Sequence, residues 1–191
     1  MRTVLLGPPG AGKGTQATRL ADRYGVPAIS TGGIFRANVG GGTELGRQAK
    51  EFMDAGLLVP DSVTNAMVRD RLAEPDVNPG FVLDGYPRNP DQAIELDEML
   101  ANLGVTLDVV LEITADFDEV TRRLLGRAAI EGRADDTEPV IRRRLEEYSL
   151  KTAPLTAFYE GRGLLARADG LGDIDDVTSR LVAAIEARVS S

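Results

Sequence analysis

The sequence contains no cysteine and no histidine, and each absence excludes a class of chemistry. Without cysteine there are no disulfide bonds, thiol nucleophiles or cysteine-based zinc sites, so we expect no zinc. Without histidine there is no Ser-His-Asp triad and no proton transfer through imidazole. Any catalysis must therefore use carboxylates, lysine, arginine, hydroxyl groups and the main chain.

Long apolar runs are missing as well. No segment approaches the ~18 apolar residues of a membrane span. The apolar run near the start of the sequence is also too short for the hydrophobic part of a secretory signal. We therefore expect a cytoplasmic protein that has no membrane partner.

Positive charge is in deficit, because 22 lysines and arginines face 30 aspartates and glutamates, for a net charge of −8. A surface that binds duplex nucleic acid must be cationic to displace counterions, so we expect no nucleic-acid partner. A local basic cluster could still bind a small anion. The 191 residues, 42% hydrophobic and 27% charged, fit one compact domain over residues 1–191, which we expect to be a monomer.

Short β-branched runs alternate with amphipathic helical patterns, which is typical of βαβ units around a parallel sheet. The fold class predicted is α/β, a five-stranded parallel sheet flanked by helices. The predicted strands are 3–6, 28–30, 81–83, 107–113 and 164–168. Helices are predicted after Gly12, Ile34, Thr43, Asp61, Asn89, Asp116 and Glu138, and from Asp175 to Arg188.

The sharpest motif is GPPGAGKGT, residues 7–15, which follows an apolar strand and precedes a helical pattern. Glycines allow the chain to curl so that its N–H groups point at a phosphate, and the helix N-terminus adds partial positive charge. Lys13 supplies a point charge to the β and γ phosphates, and Thr15 a hydroxyl near magnesium. Gly14 departs from the usual motif, in which Ser or Thr follows the lysine. The motif predicts a P-loop NTPase type of fold.

A second motif, DGYPR, residues 84–88, ends the strand predicted at 81–83. Ligands of open α/β sheets lie beyond the carboxyl ends of the strands, so Asp84 and Arg88 are expected to face the same crevice as Lys13. Asp84 can hold Mg²⁺ through water, and Arg88 can bind a phosphate with its planar fork. The alternative for this motif is a surface turn with a solvated ion pair.

Arginine is concentrated in one stretch of the chain, whereas lysine occurs only three times. The stretch contains Arg122, Arg123, Arg127, Arg133, Arg142, Arg143 and Arg144. Arginine suits a polyphosphate, but Arg122 and residues 142–144 could instead form solvated helix faces paired with Asp118, Glu146 and Glu147. Helical periodicity places Arg123 and Arg127 on one face, and separates Arg144 from Arg142.

Taken together, the motifs resemble the adenylate kinase family. The resemblance rests on GPPGAGKGT, STGGIFR, DGYPR with Gln92 after it, LLGR, GRADD and the late RRRLEEY and TAPL segments, and covers essentially the whole chain in the family's motif order. It implies reversible phosphoryl transfer from MgATP to AMP, which gives two ADP and maintains adenine nucleotide balance. The implied partners are therefore ATP, AMP and ADP, with Mg²⁺ as the cofactor.

The resemblance also implies residue roles. The catalytic set is Lys13, Arg88, Arg123, Arg133 and Arg144. The ATP-binding set is Gly10, Ala11, Gly12, Lys13, Gly14, Thr15, Arg127 and Gly172. The AMP-binding set is Thr31, Arg36, Leu57, Leu58, Val59, Gly85, Tyr86, Pro87, Arg88, Gln92, Arg133 and Arg144. Magnesium would be held through water by Asp84 and Thr15.

Two segments are expected to move. The glycine-rich residues 30–59 would form an AMP-binding flap, and residues 126–136 a lid that is only a short loop. Longer members of the family insert a small subdomain at this second place, sometimes with a zinc site. The short lid fits the missing cysteines.

Alternative functions stay open from the sequence. Thr31 favours AMP, since relatives that use UMP or CMP tend to carry a small apolar residue there, but one hydroxyl leaves a UMP or CMP kinase possible. A small-metabolite kinase would need a carboxylate beside its acceptor hydroxyl, and Asp84 could serve. A P-loop switch that binds nucleotide without turnover is the non-enzyme alternative, and it would need only one nucleotide site.

Overall fold

A computed structural model describes residues 1–131 and 137–189 of the chain. Five parallel strands form one sheet in the order β2-β3-β1-β4-β5, which confirms the predicted fold class. Their bounds are β1 Arg2–Leu6, β2 Ala28–Ser30, β3 Phe81–Asp84, β4 Val109–Thr114 and β5 Leu165–Asp169. Each predicted strand is present, with ends that differ by at most two residues.

Helices connect the strands. They are α1 Lys13–Tyr24, α2 Thr31–Gly40, α3 Glu44–Asp54, α4 Asp61–Leu72, α5 Pro90–Asn102, α6 Phe117–Glu131, α7 Glu138–Glu147, α8 Pro154–Glu160 and α9 Ile174–Val189. A 3₁₀ turn covers Pro75–Val77, and a π-helical turn, Tyr148–Thr152, joins α7 to α8. In the described ranges, none of the helices is both long enough and apolar enough to cross a membrane.

The sheet is buried on both faces, because side chains alternate between two hydrophobic clusters. In β1, Val4 and Leu6 belong to the cluster beneath α4, α5 and α8, whereas Leu5 belongs to the cluster beneath α1 and α9. Strands covered on both sides read as continuous apolar runs, as the sequence of β1 does.

Three helical features differ from the prediction. α2 begins at Thr31 rather than after Ile34, because the Ser30 hydroxyl accepts a hydrogen bond from the Gly33 N–H at 3.2 Å and caps the helix. The short helix α8 was not predicted. Residues 126–131 continue α6 instead of forming a loop, since this run is rich in good helix formers. The rest of the predicted lid loop, residues 132–136, lies outside the described residues.

Strand register brings the motifs together at one edge of the sheet. Leu5 of β1 lies beside Asp84 of β3, and Ser30 of β2 lies beside the same aspartate. The segments that follow these strands are the glycine-rich loop, the turn at 85–89 and helix α2. The carboxyl ends of β1, β2 and β3 therefore gather residues that are up to 80 positions apart in sequence.

Candidate active site

The glycine-rich loop ends at Gly12, which precedes α1 in a left-handed conformation. No described side chain caps this helix, and its first turn contains no acidic residue. The Ala11 N–H donates to the Pro8 oxygen at 3.1 Å, which holds the loop in a tight curl. An uncapped helix N-terminus at the end of a curled main chain is suited to an anion.

Gly10 is held in place by contact as well as by its positive φ of 86°. A Cβ atom there would lie 2.8 Å from the Val120 oxygen and 2.9 Å from Leu124 Cγ. Lys13 folds back over the loop, and its Nζ donates to the oxygens of Gly7 at 2.7 Å and Pro8 at 2.9 Å. The loop is thus packed against α6 on one side and carries a cation on the other.

A polar cavity of about 350 Å³, here called the loop cavity, opens over this loop. Its walls come from the loop, the start of α2, the turn after β3, and helices α6 and α7. The lining residues are Pro9, Gly10, Gly12, Lys13, Gly14, Thr15, Ser30, Gly32, Arg36, Asp84, Gly85, Arg88, Arg123, Leu124 and Arg144.

A second cavity of about 100 Å³, here called the flap cavity, lies beside it between α2, the 56–59 segment and the π-helical turn. Its walls are mainly apolar with a few polar side chains. The lining residues are Thr31, Gly32, Phe35, Arg36, Met53, Gly56, Leu57, Leu58, Val59, Thr64, Gly85, Arg88, Gln92, Arg144, Glu147 and Tyr148.

Three arginines, Arg36, Arg88 and Arg144, line both cavities. Burial lowers the pKa of Arg88, the Asp84 carboxylate opposes this shift, and the charges of Arg144 and Arg36 add to it. Cations grouped in this way repel one another, so an anion between them would be strongly favoured. The boundary between the two cavities is therefore suited to phosphate groups reached from both sides.

Arg88 is held at three points. Its Nε donates to the Gly85 oxygen at 2.8 Å, and its backbone N–H donates to Gln92 Oε1 at 2.7 Å. Its carbonyl accepts a hydrogen bond from the Thr152 hydroxyl at 2.8 Å, so the π-helical turn also supports it. A guanidinium fixed in this way is preorganised for a phosphate.

The other described arginines divide between the loop cavity and the exposed surface. Arg123 lines the loop cavity, where its Nη1 donates to the Gly170 oxygen at 3.1 Å. Arg122 is exposed, as in the solvated-face alternative, but it pairs with Glu119 at 2.6 Å rather than with Asp118. Arg142 is exposed and pairs with Glu138. Arg133 and the side chain of Arg127 lie outside the part of the chain that the structure describes.

Two of the described residues implied for AMP binding, Tyr86 and Pro87, line neither cavity. Thr31, in contrast, is buried and lines the flap cavity. Its hydroxyl lies 3.4 Å from the main-chain carbonyl oxygen of Asp84. Tyr86 is fully buried, and its hydroxyl donates to Asn65 Oδ1 at 2.8 Å. Burial raises the pKa of Tyr86, so it remains a donor. Pro87, bonded to Tyr86 through a cis peptide, lines neither cavity.

Ala11 and Gly172, which were implied for ATP binding, also lie outside the lining of the loop cavity. Ala11 is a buried residue of the loop itself. Gly172 follows β5 with a φ of 97°, and a Cβ there would lie 3.3 Å from Arg180 Nη2.

Comparison with known proteins agrees with this geometry. The family model described as adenylate kinase matches residues 5–164, which is more than four fifths of the chain. The chain belongs to the adenylate kinase family. It is 61% identical over 188 residues to an adenylate kinase of Thermobifida fusca (strain YX), covering 98% of this chain and 100% of that protein.

Further relatives in the adenylate kinase family match over similar lengths. An adenylate kinase of Kocuria rhizophila is 62% identical over 185 residues, which cover 97% of this chain and 98% of that protein. An adenylate kinase of Stenotrophomonas maltophilia is 52% identical over 187 residues, which cover 98% of this chain and 100% of that protein. The resemblance to this family is therefore confirmed over nearly the whole chain.

Some cavity residues of this adenylate kinase family member were not singled out from the sequence. The flap cavity is also lined by Phe35, Met53, Thr64 and Tyr148. Burial, together with the charge of Glu112, raises the pKa of Tyr148 to about 12. Each of them reads locally as an ordinary helix residue. Two of them lay in segments that carried the family resemblance, Phe35 in STGGIFR and Tyr148 in RRRLEEY, whereas Met53 and Thr64 lay in none of the motifs.

Proposed function

We propose that this chain reversibly transfers the terminal phosphoryl group of MgATP to AMP, giving two ADP and maintaining adenine nucleotide balance. The observation that carries the proposal is the set of arginines shared by two adjoining cavities. A protein that joins the phosphates of two nucleotides needs such a shared cationic boundary. A switch that holds one nucleotide does not need it.

The loop cavity is assigned to ATP. The loop amides, Lys13 and Thr15 hold the phosphates, and Lys13 with Arg123 stabilises the transferring group. Arg133 and Arg144 bridge the phosphates. The flap cavity is assigned to AMP, with its phosphate toward Arg36, Arg88 and Arg144. The base lies among the apolar residues, within reach of Thr31 and Gln92. On the AMP side, the proposed contacts also include the backbone at 57–59 and 85–88. On the ATP side, they include Arg127 and Gly172.

No general base is needed for this reaction. The second pKa of a phosphate monoester is ~6, so the attacking oxygen of AMP is already largely deprotonated at neutral pH. The chain therefore contributes alignment of the two phosphates and fixed positive charge, without a proton acceptor. This accounts for an active site that works without histidine.

Magnesium fits the loop cavity. Asp84 supplies a carboxylate and Thr15 a hydroxyl to the same wall, and Mg²⁺ is commonly held by one carboxylate, waters and substrate phosphates. When bound with ATP, Mg²⁺ neutralises charge on the β and γ phosphates. The lack of cysteine and histidine in the sequence supports the expectation that no zinc is required.

Movement of two segments completes the proposal. Residues 30–59 form the AMP-binding flap, and residues 126–136 the short lid over ATP. The flap end already lies close to α7, because a Cβ at Gly56 would lie 2.9 Å from the Val140 oxygen. Enclosure of both nucleotides would exclude water from the transferring phosphoryl group. We also propose that the protein acts as a cytoplasmic monomer on free nucleotides, which its net charge of −8 supports with respect to nucleic acid.

An assay of ADP formation from ATP with AMP, UMP, CMP or GMP, each with and without Mg²⁺, tests the function. We expect turnover with AMP that depends on magnesium. Equal turnover with UMP or CMP would favour a pyrimidine nucleotide kinase, and no turnover would favour the binding switch. Two adenosines joined by five phosphates should bind far more tightly than ATP, and equal affinity would contradict the two-site arrangement.

A further inference from the structure

Asp61, which none of the sequence motifs includes, lies at the start of α4, where the chain leaves the flap. Its carboxylate accepts hydrogen bonds from two side-chain amides. Gln92 Nε2 lies 2.7 Å from Oδ1, and Asn89 Nδ2 lies 3.2 Å from Oδ1 and 3.0 Å from Oδ2. Asp61 therefore links the end of the flap to the turn that carries Arg88.

The network allows only one orientation of the Gln92 amide. The Arg88 backbone N–H can only donate, so the group of Gln92 that meets it must be the oxygen. The Asp61 carboxylate accepts, so the group that meets it must be the Gln92 NH₂. The two constraints agree, and a flipped amide would place two donors together at Arg88 and two acceptors together at Asp61.

Asn89 is oriented by the same logic. Its Oδ1 accepts the Gln92 backbone N–H at 2.8 Å and caps α5, which leaves its NH₂ to face Asp61. Gln92 is buried, with 1% of its surface exposed, and it lines the flap cavity. Its NH₂ carries two hydrogens, of which Asp61 takes one.

We propose that Asp61 is a positioning residue that fixes Gln92 as a hydrogen-bond donor toward the base in the flap cavity. This inference rests on the proposed function and names the base edge that the site selects. A fixed donor pairs with a ring nitrogen that has a lone pair, as N1 of adenine has. It meets an N–H in hypoxanthine and guanine, where N1 is protonated, and in uracil, where the nitrogen on the corresponding edge, N3, is protonated.

Inosine monophosphate is the sharpest probe, because its base differs from adenine by an N–H at position 1 and an oxygen in place of the amino group. In the parent protein we expect kcat/KM to favour AMP over IMP strongly, since a mismatched base leaves buried groups unpaired. In Asp61→Ala the Gln92 amide keeps its hydrogen bond from the Arg88 N–H but loses the contact that fixes the direction of its NH₂ group. The ratio of kcat/KM for AMP to that for IMP should then fall by ~10-fold or more.

A paired exchange tests the polarity directly. The double variant Asp61→Asn with Gln92→Glu keeps the net charge. The amide introduced at position 61 can donate to the carboxylate introduced at position 92 and can accept from the Asn89 side chain. The group facing the base becomes an acceptor. We expect this double variant to shift the AMP to IMP ratio further toward IMP than Asp61→Ala does.

Thr152→Val is the matched control, because it removes the other hydrogen bond to the Arg88 main chain and leaves Gln92 untouched. It should lower kcat/KM for AMP and IMP by the same factor. Thermal unfolding of each variant separates loss of fold from loss of selectivity. An unchanged AMP to IMP ratio in folded Asp61→Ala and in the exchange variant would overturn the inference, whereas absence of AMP turnover in the parent protein would instead overturn the proposed function.

Discussion

The loop cavity and the flap cavity adjoin each other but are built in different ways. The phosphate-binding wall of the loop cavity comes largely from residues 9–15, which act through main-chain groups and one lysine. The flap cavity takes single side chains from α2, α3, α4, α5, α7 and the turns between them. A phosphate can be bound by repeated N–H groups of one curled segment, whereas a base edge must be matched by separate side chains.

The difference has an energetic consequence. We expect charge recognition in the loop cavity to tolerate many nucleotides, because every nucleoside triphosphate presents the same phosphates. Selection in the flap cavity depends on a few hydrogen bonds, each of which contributes about 1 kcal/mol. We therefore expect changes in the loop to alter turnover strongly and changes in the flap cavity to alter the choice of acceptor.

The largest effect is expected for Lys13→Met. The substitution removes the cation over the loop, and kcat should fall by ~10²- to 10³-fold because fixed charge is the main source of rate. Lys50→Met is the matched control, since Lys50 is exposed on α3 and forms a surface ion pair with Asp54. Steady-state assays with AMP measure both variants. Turnover near that of the parent protein in Lys13→Met would remove its catalytic role.

Arg144→Ala is expected to have the next largest effect, at the boundary shared by the two cavities. Loss of a charge-assisted contact to phosphate should lower kcat/KM for AMP by ~100-fold. Arg142→Ala, two residues earlier on the same helix, removes only an exposed pair with Glu138 and should change kcat/KM by less than ~2-fold. Similar losses of kcat/KM in the two variants would show that the helix face on which an arginine of α7 lies does not decide whether it contacts the phosphate.

Substitutions of two glycines of the loop separate the effect of side-chain packing on stability from the effect of a positive φ. Gly10→Ala should lower the free energy of unfolding by about 3 kcal/mol, because it combines a positive φ with contacts to Val120 and Leu124. Gly12→Ala has a similar φ of 87° but no atom within 4 Å of the added Cβ, so about 1 kcal/mol is expected. Urea denaturation measures both values. Equal losses would mean that contact with α6 contributes nothing.

The smallest effect is expected for Thr31→Ala in the flap cavity. The hydroxyl donates a long hydrogen bond, 3.4 Å, to the main-chain carbonyl oxygen of Asp84. It can also accept a hydrogen bond from a base. Its loss should reduce the preference for AMP over UMP by ~5-fold, as expected for one neutral hydrogen bond. Ratios of kcat/KM for the two nucleotides measure this. A constant ratio would leave base selection to Gln92 and the apolar walls.

Prediction from the sequence succeeded where the information is local. The apolar run of β1 and the glycine pattern after it specify a strand, a curl and a helix start within fifteen residues. Helical periodicity separated Arg144 from Arg142 correctly, because residues two apart on a helix point to different faces. Prediction was less good at element ends: the Ser30 cap moved the start of α2, and good helix formers extended α6 into the predicted lid.

The sequence by itself determined the phosphate-binding loop, the parallel α/β architecture and the concentration of arginine, since each depends on residues close together in the chain. Only the tertiary structure decided that Arg36, Arg88 and Arg144 share a boundary between two cavities, and that Asp61 holds Gln92. These contacts join segments 30 to more than 100 residues apart, and no local pattern encodes them. They arise because the parallel strands end at one edge of the sheet and bring their following segments into contact.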